Sequence, residues 1–457
     1  MAGSLETAVD PAEGLEFSDR PVPPDQRMGR MPLTMAWWSV CSAMFYLVVS
    51  ASLALAYGSV NAIIGLVLSV IAYAAVNAVL VRHAIRTGLS VSLFSRILLG
   101  QTGAAVATLI FFATAIYYAV FEGSVIALAL QSYAGIAYPV AALIVVVYSV
   151  LLIFGSIQNW LDKFNGVLLP FYLIGLLSAV VLAISKYGYS DAWLKLGPAG
   201  GAPATGWWNC FVAFMGVWIL MMFTYDYARF GRDEDREYHA KVNFGAPFYL
   251  VAFLLNGLVG IFLAASLPTE GGVTEVSVVL ALIQLMGFAG LAFVWISQTR
   301  INTANYYLAA VNMESFAQTA FRLRLPKVVW ACVVGVIAYV LMLADVFHYI
   351  LQALAYQGIF VVAWVAIALV HIVTEGREGV EHDRISFRLS DTRAVNPAGL
   401  GAWLAAAGVG LALHLAGGSA ATFSAPATFV VAGVAYALLS RRQSRAAMPG
   451  TANHNPG

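Results

Sequence analysis

Charge is what this sequence of 457 residues has least of: Asp, Glu, Lys and Arg together make up 10% of it, against 61% apolar residues. A soluble chain of this length could not cover its own surface with so few charges, so most of it must lie in a bilayer. Cysteine is also scarce. Cys41, Cys210 and Cys332 each fall inside an apolar run with no paired ligand spacing, so neither a disulfide framework nor a zinc site is suggested and packing roles are expected. The seven histidines are scattered and form no His-Glu or His-Asp cluster within one run. No catalytic residues, no metal ligands and no cofactor are therefore expected, and no ATP-binding motif is visible. The net charge of +1 comes from cations spread over loops that face anionic lipid, so no basic groove and no nucleic-acid partner are implied.

What is present is a series of apolar runs of about 20 residues, the length that crosses a bilayer as helix. They predict an all-α polytopic membrane protein of about twelve transmembrane helices, over 33–57, 59–81, 105–131, 138–158, 165–185, 206–228, 243–267, 279–309, 327–344, 346–373, 398–417 and 423–440. Basic residues gather before the first run and after each even-numbered one, as with Arg82 and Arg86, Arg229 and Arg232, or Arg377 and Arg384. Only Lys186 and Lys195 fall in a loop on the other side. Short cytoplasmic loops retain Lys and Arg, so a multi-pass protein of the cell membrane with both termini cytoplasmic is expected. The leader carries Glu6, Asp10, Glu13, Glu16 and Asp19 ahead of any basic residue, the wrong order for a signal peptide. The expected organisation is a disordered tail over 1–30, a ten-helix core over 31–373, a charged loop over 374–397, two further helices over 398–440 and a tail over 441–457.

Function must be read from polar residues inside the spans, because each is costly there. The eighth run holds Gln298, Thr299, Arg300, Asn302, Thr303 and Asn305. At about 100° per residue these cover nearly the whole helix circumference, so no side of the segment can face lipid. A guanidinium with five donors and a permanent charge points to a polar cavity more than to ordinary interhelical bonding. The third run supplies a carboxylate in AIYYAVFEGSVIAL, where Glu122 precedes Gly123 and Ser124 and follows Tyr118 by one turn. Glu122 is a candidate to pair with Arg300, contact substrate or carry a proton. By a rise of 1.5 Å per residue it lies roughly 6 Å outward of its span's middle and Arg300 roughly 9 Å inward; Asp226 is closer to Arg300 in depth. The sixth run contains Gly216 and Trp218, a weak point in the helix beside a flat indole face.

Three stretches together resemble the nucleobase:cation symporter family, first type, which includes cytosine, allantoin and hydantoin permeases. RPVPPDQR looks like its signature before the first helix, GVWILMMFTYDYARF its sixth-helix pattern, and QTRINTANYYLA its eighth-helix motif. The resemblance covers residues 21 to about 373. It implies the leucine-transporter-like five-plus-five inverted repeat, with the first and sixth helices unwound around a central site, plus two C-terminal helices. Trp37-Trp38 opening the first run and Trp207-Trp208 opening the sixth fit that repeat.

By the same resemblance, Trp218 stacks on a flat heterocycle and Asn305 bonds its ring amide, with Gly216 beside them. Glu122 or Phe121 stands at the third-helix polar position, and Tyr117 or Tyr118 packs on the substrate; the register with Glu122 and Tyr118 keeps a polar group in the site. Sodium-coupled relatives use eighth-helix hydroxyls with first-helix carbonyls, here about Ser39 to Ala43. The matching pair is Thr299 and Arg300, and a guanidinium there would repel sodium. The expected function is secondary active import of a nucleobase or related planar N-heterocycle (cytosine, purine, allantoin or hydantoin-like), proton-coupled or sodium-independent. The alternatives are an amino-acid or amine transporter of the same fold and, from another class, a channel or an intramembrane enzyme.

Overall fold

The computed structural model describes residues 20–153, 157–266, 274, 276–321, 323, 325–344, 347–378 and 392–447. Residues 1–19 of the expected tail over 1–30, residues 448–457 of that over 441–457, and residues 379–391 of the charged loop lie outside these. Among the described residues there is no strand, only an isolated parallel bridge between Met28 and Gly231.

The helices in chain order are α1 (Arg30–Trp38), α2 (Phe45–Tyr57), α3 (Ser59–Thr87), α4 (Val91–Ala134), α5 (Tyr138–Leu152), α6 (Ile157–Tyr187), α7 (Gly206–Met215) and α8 (Ile219–Ala228). Two short turns, α9 (Arg236–Tyr238) and α10 (Ala246–Tyr249), lead into α11 (Asn256–Ser266). There follow α12 (Ser277–Met286), α13 (Phe288–Phe321), α14 (Lys327–Met342), α15 (Ile350–Glu378), α16 (Pro397–Ala416), the short α17 (Gly418–Ala421) and α18 (Ser424–Ala447). Among the described residues eight stretches are long and apolar enough to cross a membrane: α3, α4, α6, α15, α16 and α18, Gly206–Ala228 (α7 with α8) and Asp233–Ser266 (ending in α11); α1 with α2 forms a ninth, bent by 41°. The shorter α5 and α14 and the polar-interrupted α13 account for the other three expected spans.

Two boundaries differ from the sequence reading. The eighth span does not begin at 279: Gly287 takes φ +56°, a left-handed value open to glycine, and detaches α12 as a helix of its own. The third span is likewise preceded by its own helical segment, because Gly100 (φ +80°) breaks α4 internally. A Cβ there would strike the backbone of Val395 and Asn396, which pairs with the break through Asn396 N to Leu99 O (3.1 Å) and Thr102 N to Ala394 O (3.0 Å).

The packing has the symmetry of a five-plus-five repeat. Span one (α2) packs on span seven (α11), and span two (α3) on span six (α7), each pair being the image of the other when five is added to the span number. Spans three and eight (α4, α13) and spans four and nine (α5, α14) pair with themselves under that operation. The interior divides accordingly. One apolar cluster runs through spans one, two, six, seven and ten, and a second, including Ala119, Val145, Tyr306 and Val334, joins α4, α5, α13 and α14. The last two spans lie against this core: Trp403 Nε1 donates to Phe360 O (2.9 Å), and Gly410 lets α16 meet α18 at Thr428. The architecture is thus all-α, with the leucine-transporter-like inverted repeat and two added helices.

Candidate functional site

The first span breaks between α1 and α2, within the first of the two clusters. Residues Ser39–Ser42 tighten into a 3-10 turn, Ala43 is extended (ψ 121°), and α2 restarts at Phe45. Such a break frees backbone groups that must find partners inside the protein. Asn256 reaches in after a π-helical turn over Leu250–Leu255 and donates to Cys41 O (2.7 Å), while its own Oδ1 accepts from Tyr172 (3.1 Å). From the eighth span, Gln298 Nε2 donates to Ser42 O (3.1 Å) and its Oε1 accepts the N–H of Met44 (3.2 Å). Ser42 Oγ donates to Ser39 O (2.8 Å). Phe45, the first residue of α2, and Glu122 line the same cavity.

Beside this break lies a cavity of about 60 Å³. The first span contributes Trp37, Val40, Ala43, Phe45 and Tyr46, and the third contributes Tyr118 and Glu122. The sixth contributes Val217, Ile219, Leu220, Phe223 and Tyr227, and the eighth Ile301, Ala304, Asn305 and Leu308. Spacing explains the selection: 118 and 122, then 219, 223 and 227, then 301, 304, 305 and 308 each form one helical stripe. The walls are apolar, with six aromatic rings from Trp37, Phe45, Tyr46, Tyr118, Phe223 and Tyr227. Their polar atoms are short of partners: Trp37 Nε1, Tyr118 Oη, Glu122 Oε2 and Asn305 Nδ2 are buried without a hydrogen bond. Buried polar groups are nearly always paired, so four orphans around one cavity mark a place for a polar ligand. The arrangement offers donors, one carboxylate acceptor and π faces, and among the described residues no group of His, Cys, Asp or Glu that could hold a metal.

The structure brings Glu122, Tyr118 and Asn305 together as lining residues and draws others elsewhere. Trp218 is not among the lining residues: its indole makes edge contacts with Tyr73 (6.2 Å) and Phe429 of α18 (5.5 Å), about 100° around the helix from the Ile219 stripe. Gly216 allows close approach of α15, since a Cβ there would collide with Leu354 and Gly358 lies opposite. Thr299 turns its hydroxyl to Trp295 O (2.7 Å) and Tyr148 Oη (3.1 Å); its neighbour Gln298 holds the break instead. The Arg300 side chain lies outside the described residues. Asp226 caps α4 by accepting the Val91 N–H (2.8 Å). The sequence reading missed Trp37 as a wall and Gln298 and Asn256 as clasps; the Trp37-Trp38 and Trp207-Trp208 correspondence was the available signal for the first.

No protein-family profile matches the sequence, and no curated protein matches it. Solved structures do share the fold. One is Mhp1, a nucleobase-cation-symport-1 family transporter, closed with bromovinylhydantoin bound (15% identity, 94% of this chain and 96% of that one, TM-score 0.71). The inward-facing conformation of Mhp1 is similar at 14% identity over 97% of this chain and 96% of that one, with a TM-score of 0.72. A substrate-bound Na+-coupled sialic acid symporter, outward-open, is similar at 15% identity over 94% of this chain and 95% of that one, with a TM-score of 0.59.

Proposed function

We propose that this chain is a secondary transporter of the nucleobase:cation symporter type, importing a nucleobase or related planar N-heterocycle across the cell membrane with both termini cytoplasmic. One observation carries the reading: an apolar cavity lined by six aromatic rings at a broken span, in which a carboxylate oxygen, an amide and an indole N–H lack partners. A ring with N–H and C=O groups along one edge answers that set, its N–H bonding Glu122 and its C=O bonding Asn305 or Trp37. The likeness in fold to Mhp1, captured with bromovinylhydantoin bound, supports the same substrate class. Trp218 and Gly216 then act by shaping the sixth span behind the cavity wall.

Transport is proposed to be sodium-independent and proton-coupled. Gln298 and Asn256 already satisfy the carbonyls of the break, Arg300 adds a fixed positive charge nearby in sequence, and Glu122 is the proton carrier. Alternating access needs two gated states around this one site and no covalent chemistry. The experiment is counterflow: proteoliposomes loaded with an unlabelled heterocycle should transiently accumulate the labelled compound, saturably and chemically unchanged. A linear, unsaturable flux would indicate a channel, and a chemically altered product an enzyme.

A further inference from the structure

Two glycines hold matching places in the repeat. Gly100 (φ +80°) joins the helical segment after span two to span three, and Gly287 (φ +56°) joins α12, the segment after span seven, to span eight. Both values are left-handed and open to glycine, so each junction is a corner between two helices. A corner frees carbonyls on one side and amides on the other, and these need partners. At Gly287 the backbone bonds stay, among the described residues, within the two helices it joins: its N–H donates to Ile283 O (2.8 Å) and its carbonyl accepts from Leu291 (3.1 Å). A Cβ there would meet nothing within 4 Å.

Gly100 differs, because residues 392–396, the segment entering α16, lie across it. On one side Asn396 donates from N to Leu99 O (3.1 Å) and from Nδ2 to Ile97 O (3.2 Å). On the other, Arg393 O and Ala394 O accept the amides of Gln101 (3.1 Å) and Thr102 (3.0 Å), and Gln101 Nε2 donates to Thr392 O and Oγ1 (both 3.2 Å). The two sides of the corner belong to different bodies. Before it, Val91 N bonds Asp226 of α8, Phe94 stacks on Tyr225 (5.3 Å), and Trp364 of α15 donates to Ser95 Oγ (2.9 Å). After it, Phe112, Ala115, Ile116 and Ala119 join the cluster shared with α5, α13 and α14. Close packing keeps α16 with the first side, since a Cβ on Gly399 would strike Leu98 O.

We infer that Gly100 is a hinge between these bodies and that residues 392–396 are a latch on it, which must release Gln101 and Thr102 before the face carrying the N-terminal segment can open. The inference rests on the chain working by alternating access. To open the cavity at this face, span three has to swing from span six while residues 91–99 stay on α8 and α15, and Gly100 is where α4 can change direction without breaking a helix. That swing draws Gln101 and Thr102 away from carbonyls held in place by α16. Two hinges matched by the repeat are thus made unequal by helices that lie outside it.

The test is the sidedness of Cys41 labelling in the full-length protein carrying Cys210→Ser and Cys332→Ser. Cys41 is fully buried in the break of span one, so in sealed vesicles of either orientation a membrane-impermeant maleimide reads how often the cavity opens to each face. No substrate is needed. Gln101→Pro places proline at the first position of the helix after the corner, where its fixed φ is accommodated, and removes the N–H and Nε2 bonds together. Labelling from the face of the N-terminal segment should rise about tenfold, the shift expected for two lost hydrogen bonds, with no rise from the opposite face. Gln101→Ala keeps the backbone donor and loses the Nε2 bonds alone, so about a threefold rise at the same face is expected. Wild-type rates at that face in both variants, or an equal rise at both faces, would overturn the latch. Failure of the transporter reading looks different: Cys41 would be reached from one face or from neither, in wild type and variants alike, and the latch would fall with it.

Discussion

Gln298 donates from Nε2 to the carbonyl of Ser42 at 3.1 Å, bridging the eighth span to the gap in the first, and its Oε1 takes the next free amide, that of Met44. One side chain thus closes both sides of the break. Gln298→Ala should leave a buried carbonyl and a buried N–H unpaired, at about 1–3 kcal/mol each. The expected result is a clear loss of thermal stability in detergent, partly restored in Gln298→Glu for the Met44 bond alone. A variant as stable as wild type would show that water or lipid reaches the break.

The two tryptophans nearest the site should separate by phenotype. Trp37 lines the cavity and carries an unpartnered Nε1, whereas Trp218 packs on Tyr73 and Phe429. Trp37→Phe and Asn305→Ala should each weaken heterocycle binding by about 1–3 kcal/mol with little change in Tm. Trp218→Ala should lower stability by about 3–5 kcal/mol, the cost of a large buried void. Titration calorimetry beside unfolding curves distinguishes these; a binding defect in Trp218→Phe at unchanged Tm would return that indole to the ligand.

How much of this was legible in the sequence follows from what each feature depends on. The spans depend on apolar length alone, and all twelve correspond to helices. The cavity faces depend on helical spacing, which was present in the Ile219, Phe223, Tyr227 stripe and in Glu122 one turn after Tyr118. Trp218 sits one residue off that stripe, in a helix apolar on every side, so hydropathy gave no sign that it turns away. The break in the first span has no Gly or Pro to announce it. It exists because Asn256 and Gln298, distant in sequence, satisfy the groups it frees, and that is a tertiary fact. Thr299 and Gln298 are adjacent, and only the helix's rotation against α2 and α5 decides which of them reaches the gap.

Glu122→Gln is expected to keep substrate exchange while losing accumulation driven by a pH gradient, because the amide fills the same space and cannot release a proton. Measured in proteoliposomes, exchange should stay within about threefold of wild type, since Gln is nearly isosteric with Glu and its Oε1 still accepts the substrate N–H. Normal pH-driven accumulation in this variant would remove the proton-carrier role from Glu122.

Replacing external sodium with choline should leave wild-type uptake unchanged, since side-chain amides already occupy the carbonyls that would ligate a cation. Gln298→Ser shortens the clasp to a hydroxyl and frees Ser42 O, making an oxygen cluster with Ser42 Oγ and Ser297 O, which lie 3.2 Å apart. Hard cations bind such oxygens, so this variant should show sodium-dependent stabilisation that wild type lacks. Wild-type uptake that rises saturably with sodium would overturn the reading of Gln298 as the group that makes a cation unnecessary.

The last expectation concerns closure at the face where the N-terminal segment lies. Val22 N bonds Gly88 O (2.9 Å) and Met28 N bonds Phe230 O (2.7 Å), so the segment before α1 straps the turn after α3 to the turn after α8. Tyr238 completes the strap: the Arg30 guanidinium stands 3.6 Å over its ring, and its hydroxyl is 3.3 Å from Thr34 Oγ1. Both partners are on α1, the half-helix that carries Trp37 into the cavity wall. Tyr238→Ala should therefore loosen α1 without touching the cavity itself. The native reporter is Cys41, fully buried in the break; in a Cys210→Ser, Cys332→Ser background, its maleimide labelling measures how often the break opens to water. Losing a cation–π contact of about 1 kcal/mol should raise the labelling rate roughly fivefold, and saturating substrate should suppress the increase by favouring the closed form. An unchanged rate in Tyr238→Ala would mean that α1 is held by Trp37 packed on Phe244 and Phe248 rather than by the strap.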